Sequence, residues 1–195
     1  MEVKKNSAFK TIFFGPMKTG KTSIFYNYFY KEFKDIPDFL GFKTIKIPVG
    51  EFEISLNVFD FQGNEKYANI APIYYMKTSV LILVFDITHY SSYERIPICF
   101  QKVKEHIDPL VTVLIGNKLD LENERVIEKE KAIDYAKEMG FLYFETSAKT
   151  GENIKEVFVE IAKKLKFLIE KNPEILEEKE EKEKKKRKKS ENKCF

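Results

Sequence analysis

The segment that most constrains the fold is G-P-M-K-T-G-K-T, which runs from Gly15 to Thr22. It follows a short apolar run, Lys10 to Phe14, and precedes Thr22 to Phe33, whose composition is typical of a helix. The pattern G-x-x-x-x-G-K-[ST] between a strand and a helix predicts a loop whose backbone N–H groups favour negative charge, as the helix N-terminus also does. Polyphosphate is the natural ligand of such a loop, and an ordinary glycine-rich turn is the alternative.

Two side chains of this segment have a specific chemistry. Lys21 adds a full positive charge, and the Thr22 hydroxyl is suited to ligating Mg²⁺. Together with the loop backbone and the start of the helix, seven residues are candidates for binding the phosphates: Gly15, Lys18, Thr19, Gly20, Lys21, Thr22 and Ser23.

Short apolar runs alternate with helix-period stretches along the chain, which indicates a parallel sheet covered by helices. The predicted strands are Lys10 to Phe14, Phe42 to Val49, Glu51 to Asp60, Val80 to Asp86, Val111 to Asn117 and Phe141 to Glu145. The predicted helices are Thr22 to Phe33, Ser92 to Asp108, Lys129 to Glu138, and a last helix with an apolar stripe from Ile154 to Leu168. We therefore predict an α/β fold of the P-loop NTPase type, with a mostly parallel six-stranded sheet and helices on both faces.

Two further polar motifs directly follow predicted strands, at the sheet edge where ligands of such folds bind. In N-K-L-D, the Asp120 carboxylate can accept the ring N–H and the exocyclic amine of guanine, a donor pair that adenine lacks. E-T-S-A-K can supply backbone N–H groups to the base carbonyl. N-K-L-D alone is also compatible with a polar turn, but three loops in register favour a nucleotide site. The candidate base-binding residues are Asn117, Lys118, Asp120, Ser147, Ala148 and Lys149.

These motifs resemble, in order and spacing, those of the Ras superfamily of small GTPases, and within it the Rab branch. The similarity covers roughly residues 8 to 170 and includes D-x-x-G within D-F-Q-G-N-E, V-F-D-I-T, and E-T-S-A-K-T-G-E-N. It implies that GTP or GDP binds with Mg²⁺, that Thr22 and Asp60 bind the metal, the latter through water, and that Gly63 donates its N–H to the γ-phosphate. Phe33 matches the position of an aromatic edge against the base, with a core aromatic at a helix end as the alternative.

The resemblance also implies a catalytic group, and here the chain departs from the family. The family loop is D-T-A-G-Q-E, and its Gln orients the attacking water. Asn64 stands in that place, and its amide is about 1.5 Å short. A displacement of about 1 Å can cost something like a hundredfold in rate. We therefore expect a GTP hydrolase with Lys21, Gly63 and Asn64 as catalytic residues and slow turnover.

Other positions depart as well. Met17 and Lys18 replace small residues of the phosphate loop, so Met17 is expected to crowd the γ-phosphate or block an arginine finger, whereas Lys18 adds charge or stays solvated. Pro37 stands where the family has the switch threonine, and proline has no hydroxyl. Thr44 is the nearest threonine, but it falls inside a predicted strand. Without that threonine, the GTP and GDP states differ less in this segment.

The chain divides into a small GTPase domain, residues 1–176, and a polybasic tail, residues 177–195, which we predict to be disordered. The tail contains six consecutive basic residues, Lys184 to Lys189, and Cys194 near its end. A prenyl group on Cys194 together with the basic run supplies the two signals that stable membrane anchoring requires. A nuclear signal, a nucleic-acid contact or a solubilising tail are the alternatives.

Composition bounds the remaining functions. The 195 residues are 43% hydrophobic, no apolar run approaches bilayer length, and the N-terminus lacks a signal-peptide core. We expect a cytoplasmic monomer, peripheral on the cytosolic face of intracellular membranes, with guanine nucleotide, effector proteins and an exchange factor as partners and no nucleic acid. A regulatory switch in vesicle trafficking is the first hypothesis, and a GTP-locked scaffold that recruits partners is the second. An ATP-using kinase is disfavoured because Asp120 selects guanine.

Overall fold

A six-stranded sheet forms the centre of the molecule. The computed structural model describes residues 8–33, 41–60 and 76–176. Its strands are β1 (Ala8–Phe14), β2 (Gly41–Val49), β3 (Phe52–Asp60), β4 (Val80–Asp86), β5 (Val111–Asn117) and β6 (Leu142–Thr146). They lie in the order β2-β3-β1-β4-β5-β6, and only the pairing of β2 with β3 is antiparallel. The mostly parallel sheet is thus confirmed.

The amino-acid patterns explain these positions. Every residue of β4 is buried, as expected for an apolar strand that is covered on both faces. In β3 the alternating residues Ile54, Leu56 and Val58 are buried against one helical layer. Pro48 lies in β2, the edge strand, where a missing backbone N–H is tolerated.

Helices cover both faces of the sheet. They are α1 (Lys21–Tyr30), α2 (Tyr90–Glu94), α3 (Ile96–Lys104), α4 (Lys129–Met139) and α5 (Ile154–Lys171), with a 3-10 helix at Leu119–Glu124. Apolar residues of α1 and α5, such as Phe25 and Phe158, belong to one core. Residues of α3 and α4, such as Val103 and Ala136, belong to a second core on the other face. The two-faced arrangement that the alternating pattern predicted is confirmed.

The first and second predicted helices differ most from the structure. The first ends at Tyr30 rather than Phe33, because Lys31 adopts a left-handed backbone with φ 56°. The stretch Ser92 to Asp108 was predicted as one helix, and that was wrong: α2 and α3 are separate helices that meet at Arg95. Pro97 explains the break, since its ring would clash with the carbonyl four residues earlier in a continuous helix, whereas it is tolerated in the first turn of α3.

The stripe of the last helix is largely confirmed. Five of its predicted members are buried, namely Ile154, Val157, Phe158, Ile161 and Leu165. Leu168 is only half-buried, and Ile169 is the buried residue of that turn. Among the described residues, no helix is long and apolar enough to cross a membrane.

The parallel strands place five chain segments at one edge of the sheet. The carboxyl ends of β1, β3, β4, β5 and β6 are Phe14, Asp60, Asp86, Asn117 and Thr146. The described sequence motifs include or directly follow these ends. The fold therefore brings together residues that are more than a hundred positions apart in sequence.

Candidate functional site

The loop between β1 and α1, here called the phosphate loop (Gly15–Gly20), depends on its two glycines. Gly15 has φ 134° and Gly20 has φ 90°, and both values lie where side chains are strained. A Cβ on Gly15 would lie 2.4 Å from the Val84 carbonyl oxygen, and one on Gly20 would lie 2.2 Å from Asn117 Nδ2. The glycines therefore allow the loop to approach the neighbouring strands closely.

The side chain of Lys21, the first residue of α1, lies against this loop rather than in solvent. Its side chain is buried, and its Nζ donates to the Gly15 carbonyl at 2.8 Å and to the Pro16 carbonyl. Burial lowers the pKa of Lys21 to about 8, and the nearby Asp60 carboxyl opposes that shift. The loop thus holds a cationic group at the N-terminus of α1, as the sequence predicted.

Asn117, at the end of β5, connects three loops. Its Nδ2 donates to the Thr19 carbonyl at 2.9 Å, so the side chain binds the phosphate loop. Its Oδ1 accepts hydrogen bonds from the Ala148 N–H and from the Thr146 hydroxyl, both at 3.1 Å. Because Asn117 is only 1% exposed, these bonds form away from solvent. A single side chain therefore fixes the phosphate loop, N-K-L-D and E-T-S-A-K relative to one another.

Two additional contacts support this arrangement. Asn27 of α1 donates from Nδ2 to the Ala148 carbonyl at 3.1 Å. The Ser147 hydroxyl donates to Asp120 Oδ1 at 2.5 Å, so the carboxylate predicted to bind guanine lies beside the E-T-S-A-K loop. The structure thus brings the two predicted base-binding loops together.

Asp60, at the end of β3, is fully buried next to α1. Within the described residues, neither of its carboxylate oxygens accepts a hydrogen bond of standard geometry. Burial raises the pKa of Asp60 to about 6, and the neighbouring Thr22 hydroxyl and Lys21 charge oppose the shift. A buried carboxylate beside a hydroxyl, Asp60 with Thr22, supplies the oxygen ligands that a hard divalent cation such as Mg²⁺ prefers.

Lys118 is held by a residue that the sequence did not assign to the site. Its backbone is left-handed, with φ 74°, and its Nζ lies 2.5 Å from Asp86 Oδ2. The other oxygen of Asp86 accepts hydrogen bonds from the Thr88 N–H at 2.9 Å and the Thr88 hydroxyl at 2.7 Å. Asp86 thereby orients the lysine of N-K-L-D.

Comparison with known sequences accounts for this combination of loops. A sequence model of the Ras family matches residues 10–167 of this chain, which is most of its length.

The chain belongs to the Ras family.

Individual relatives within the Ras family are Rab-type proteins. The GTP-binding protein ypt5 of Schizosaccharomyces pombe is 37% identical over 162 residues, covering 80% of this chain and 77% of the relative. The Ras-related protein RABF2a of Arabidopsis thaliana is 34% identical over 165 residues, covering 83% and 82%. The Ras-related protein Rab-5A of Dictyostelium discoideum is 35% identical over 161 residues, covering 80% of each. The chain is therefore a Rab-like small GTPase.

Several residues that the sequence analysis singled out are exposed or half-buried. Lys18 and Lys149 are exposed, and Ser23 is half-buried in the first turn of α1. Met17 is also exposed, at 51%. Phe33 is 52% exposed and lies beyond the end of α1, so the alternative of a core aromatic at a helix end is wrong.

The departures from the Ras-family pattern are only partly visible. Pro37, Gly63 and Asn64 lie outside the described residues, as does the tail, residues 177–195. Thr44 lies within β2, where its hydroxyl donates to Asn57 Oδ1 at 2.8 Å across the antiparallel pair. This confirms that Thr44 is a strand residue, three positions from the β2 residue that pairs with Asp60.

Three contributors to this Ras-family site were missed from the sequence: Asn27, Asp86 and Arg125. Asn27 binds the Ala148 carbonyl and Asp86 binds Lys118, in each case through a side-chain contact between segments that are distant in sequence. Asp86 belongs to V-F-D-I-T, which was noticed only as part of the family pattern. Arg125 forms ion pairs with Glu122 and Glu145, and the acidic 3-10 helix before it was the only local signal.

Proposed function

We propose that this Rab-like protein binds GTP and GDP with Mg²⁺ and acts as a regulatory switch in vesicle trafficking, with slow intrinsic hydrolysis. The observation that supports it most is the Asn117 side chain, which connects the phosphate loop to both base-binding loops. A site in which one buried residue fixes all three loops is suited to a ligand that has both a polyphosphate and a base. The relatives' names, which include "GTP-binding protein" and "Ras-related protein", agree with that ligand.

The proposal assigns each group a role. The phosphate loop and the start of α1 bind the phosphates, with the charge of Lys21 as the main electrostatic contribution. Asp120 accepts from guanine, and the backbone around Ala148 approaches the base carbonyl. When bound, Mg²⁺ neutralises phosphate charge, and Thr22 and Asp60 are the residues of this chain that would hold it. Phe33 is exposed beyond the end of α1, where it is available to the edge of the base.

Slow hydrolysis follows from Asn64, which replaces the water-orienting Gln of the family. Gly63 retains the γ-phosphate N–H, so GTP binding is preserved while the attacking water is poorly positioned. A single-turnover assay with purified protein and Mg²⁺ tests this: we expect Asn64→Gln to increase the rate. Hydrolysis by the unmodified chain as fast as that of an ordinary Rab would overturn the slow-turnover proposal.

A GTP-locked scaffold is the second candidate, favoured by Asn64 and Pro37 together. Such a protein recruits partners without a hydrolytic timer and without a strong difference between its nucleotide states. Partner capture from a cell extract with GDP-loaded and GTP-analogue-loaded protein separates the two. A switch binds its partners in one state only, whereas a scaffold binds them in both.

Membrane attachment through the tail completes the proposal. The run Lys184 to Lys189 attracts an anionic surface by about 1 kcal/mol per charge, and a prenyl group on Cys194 adds the second signal. The intact mass of the protein from its native cells tests the modification. An unmodified Cys194 would contradict anchoring by a lipid at this residue.

A further inference from the structure

Arg125 directly follows the 3-10 helix (Leu119–Glu124) that contains Asp120. Its guanidinium is mostly buried, with 16% of the side chain exposed. It donates from Nε to Glu122 Oε1 at 2.8 Å and from Nη2 to Glu122 Oε2 at 2.7 Å. This bidentate pair binds the arginine to the 3-10 helix.

The same guanidinium binds the E-T-S-A-K segment. Nη1 and Nη2 donate to Glu145 Oε1 and Oε2 at 2.8 and 3.0 Å, and the Glu145 side chain is 5% exposed. Tyr143 adds a hydroxyl donor to Glu145 Oε1 at 2.8 Å. Arg125 therefore forms two bidentate pairs at once, a geometry that the point charge of a lysine cannot reproduce.

The two carboxylates belong to the two base-binding loops. Glu122 lies two residues after Asp120, and Glu145 lies two residues before Ser147. Asp120 and Ser147 are in direct contact at 2.5 Å, so the arginine and this hydrogen bond join the same two loops. Asn153 donates to the Glu145 carbonyl at 2.8 Å and fixes the backbone of the same turn.

We propose that Arg125 is a positioning residue for guanine: by binding Glu122 and Glu145 together, it keeps Asp120 aligned with the E-T-S-A-K loop and so limits nucleotide release. The proposal rests on the proposed guanine-nucleotide function. Loss of the arginine leaves the nearly buried Glu145 carboxylate without its main counter-charge, and the loop that contains it has to rearrange. Alignment of the base-binding groups then decreases, although none of them has been replaced.

The test is the release rate of fluorescently labelled GDP and IDP, each chased with excess unlabelled nucleotide in the presence of Mg²⁺. Inosine lacks the exocyclic amine that Asp120 would accept, so the unmodified chain releases IDP faster than GDP. For Arg125→Gln we expect GDP release to be about tenfold faster, the scale set by losing charged hydrogen bonds. The ratio of the IDP release rate to the GDP release rate decreases, because the misaligned Asp120 accepts a weaker hydrogen bond from the exocyclic amine of guanine.

Matched variants separate positioning from general stability. Ile161→Val removes a methylene from a buried position of α5, outside the Arg125 contacts, and serves as the destabilised control. Arg125→Lys is expected to release GDP at an intermediate rate. Glu145→Gln is expected to match Arg125→Gln, and the double variant to release GDP no faster than either single variant, as for groups that act as one unit. Glu122→Gln, at a 57% exposed carboxyl, weakens half of the contact, and its effect on GDP release is expected to be smaller. This variant replaces Arg125→Gln in the test if Arg125→Gln does not fold.

The outcomes are distinct. GDP release from Arg125→Gln at the rate of Ile161→Val, or equal acceleration of GDP and IDP, overturns the positioning role. If only Glu122→Gln folds, GDP release from that variant at the rate of the unmodified chain also overturns the positioning role. An unmodified chain that binds neither nucleotide overturns the proposed function itself.

Discussion

Replacing Asn117 with alanine removes the side chain that connects the three loops of the site. Its amide group forms three hydrogen bonds, to the Thr19 carbonyl, the Ala148 N–H and the Thr146 hydroxyl. Alanine offers no donor or acceptor, and the site is too buried for bulk water to replace them freely. The expected consequence is a loss of stability that exceeds the effect of any one bond.

The magnitude follows from the groups left behind. A buried donor or acceptor without a partner costs about 1–3 kcal/mol, and two backbone groups lose theirs, so the free energy of unfolding falls by about 2–6 kcal/mol. The Thr146 hydroxyl can rotate toward another acceptor, so it adds less. For a chain of this length, about 2–4 °C per kcal/mol applies, and the melting temperature falls by roughly 10 °C.

Urea unfolding of the nucleotide-free protein measures this loss, and a second series with saturating GDP measures the added effect of weaker binding. Two variants provide the scale. Asn27→Ala removes the hydrogen bond to one buried carbonyl, that of Ala148, and is expected to lose about 1–3 kcal/mol, half the range for Asn117→Ala. Thr146→Val removes one hydroxyl donor and is expected to lose about 1 kcal/mol. A loss for Asn117→Ala no larger than that of Asn27→Ala would refute the reasoning, because it would show that the three loops are fixed by other contacts.

Three further predictions follow from single features of the structure. Gly15→Ala places a Cβ 2.4 Å from the Val84 carbonyl oxygen at a strained φ. We expect thermal unfolding to show that the free energy of unfolding falls by more than about 2 kcal/mol. An unchanged free energy of unfolding would contradict the loop geometry. Asp120→Asn exchanges an acceptor for a donor, so calorimetric titration should show weaker GDP binding and stronger xanthosine diphosphate binding. An unchanged preference for GDP would contradict the assignment of Asp120 to base binding. Lys46→Gln breaks an exposed pair with Glu53, and urea unfolding should change by less than about 1 kcal/mol, with a larger change contradicting its solvent-screened character.

The parts of the fold that could be predicted are those set by local patterns. The bounds of β4 and β5 were obtained correctly, because continuous apolar runs are typical of strands covered on both faces. The split between α2 and α3 was missed, since a proline near the start of a periodic stretch was taken as compatible with one helix. Phe33 was placed in a helix because the whole stretch Thr22 to Phe33 was taken as one helix, but the left-handed Lys31 ends the helix earlier.

The parts of the site that could not be predicted depend on contacts between distant residues. Asn117 was assigned to the base through its motif, yet its hydrogen bond to Thr19 spans 98 positions in sequence. Arg125 and Glu145 are 20 positions apart, and neither segment alone indicates the other. Such partners depend on strand order, which places loops side by side irrespective of their distance along the chain.

The nucleotide content of the purified protein tests the central claim most directly. Release by denaturation, followed by chromatographic identification, shows which nucleotide the site binds and whether GTP survives purification. We expect guanine nucleotide near one equivalent, with GTP retained beside GDP, because the proposal predicts slow hydrolysis from Asn64 in place of the family's Gln. Adenine nucleotide, or none, would contradict the guanine site, and GDP alone would contradict slow hydrolysis.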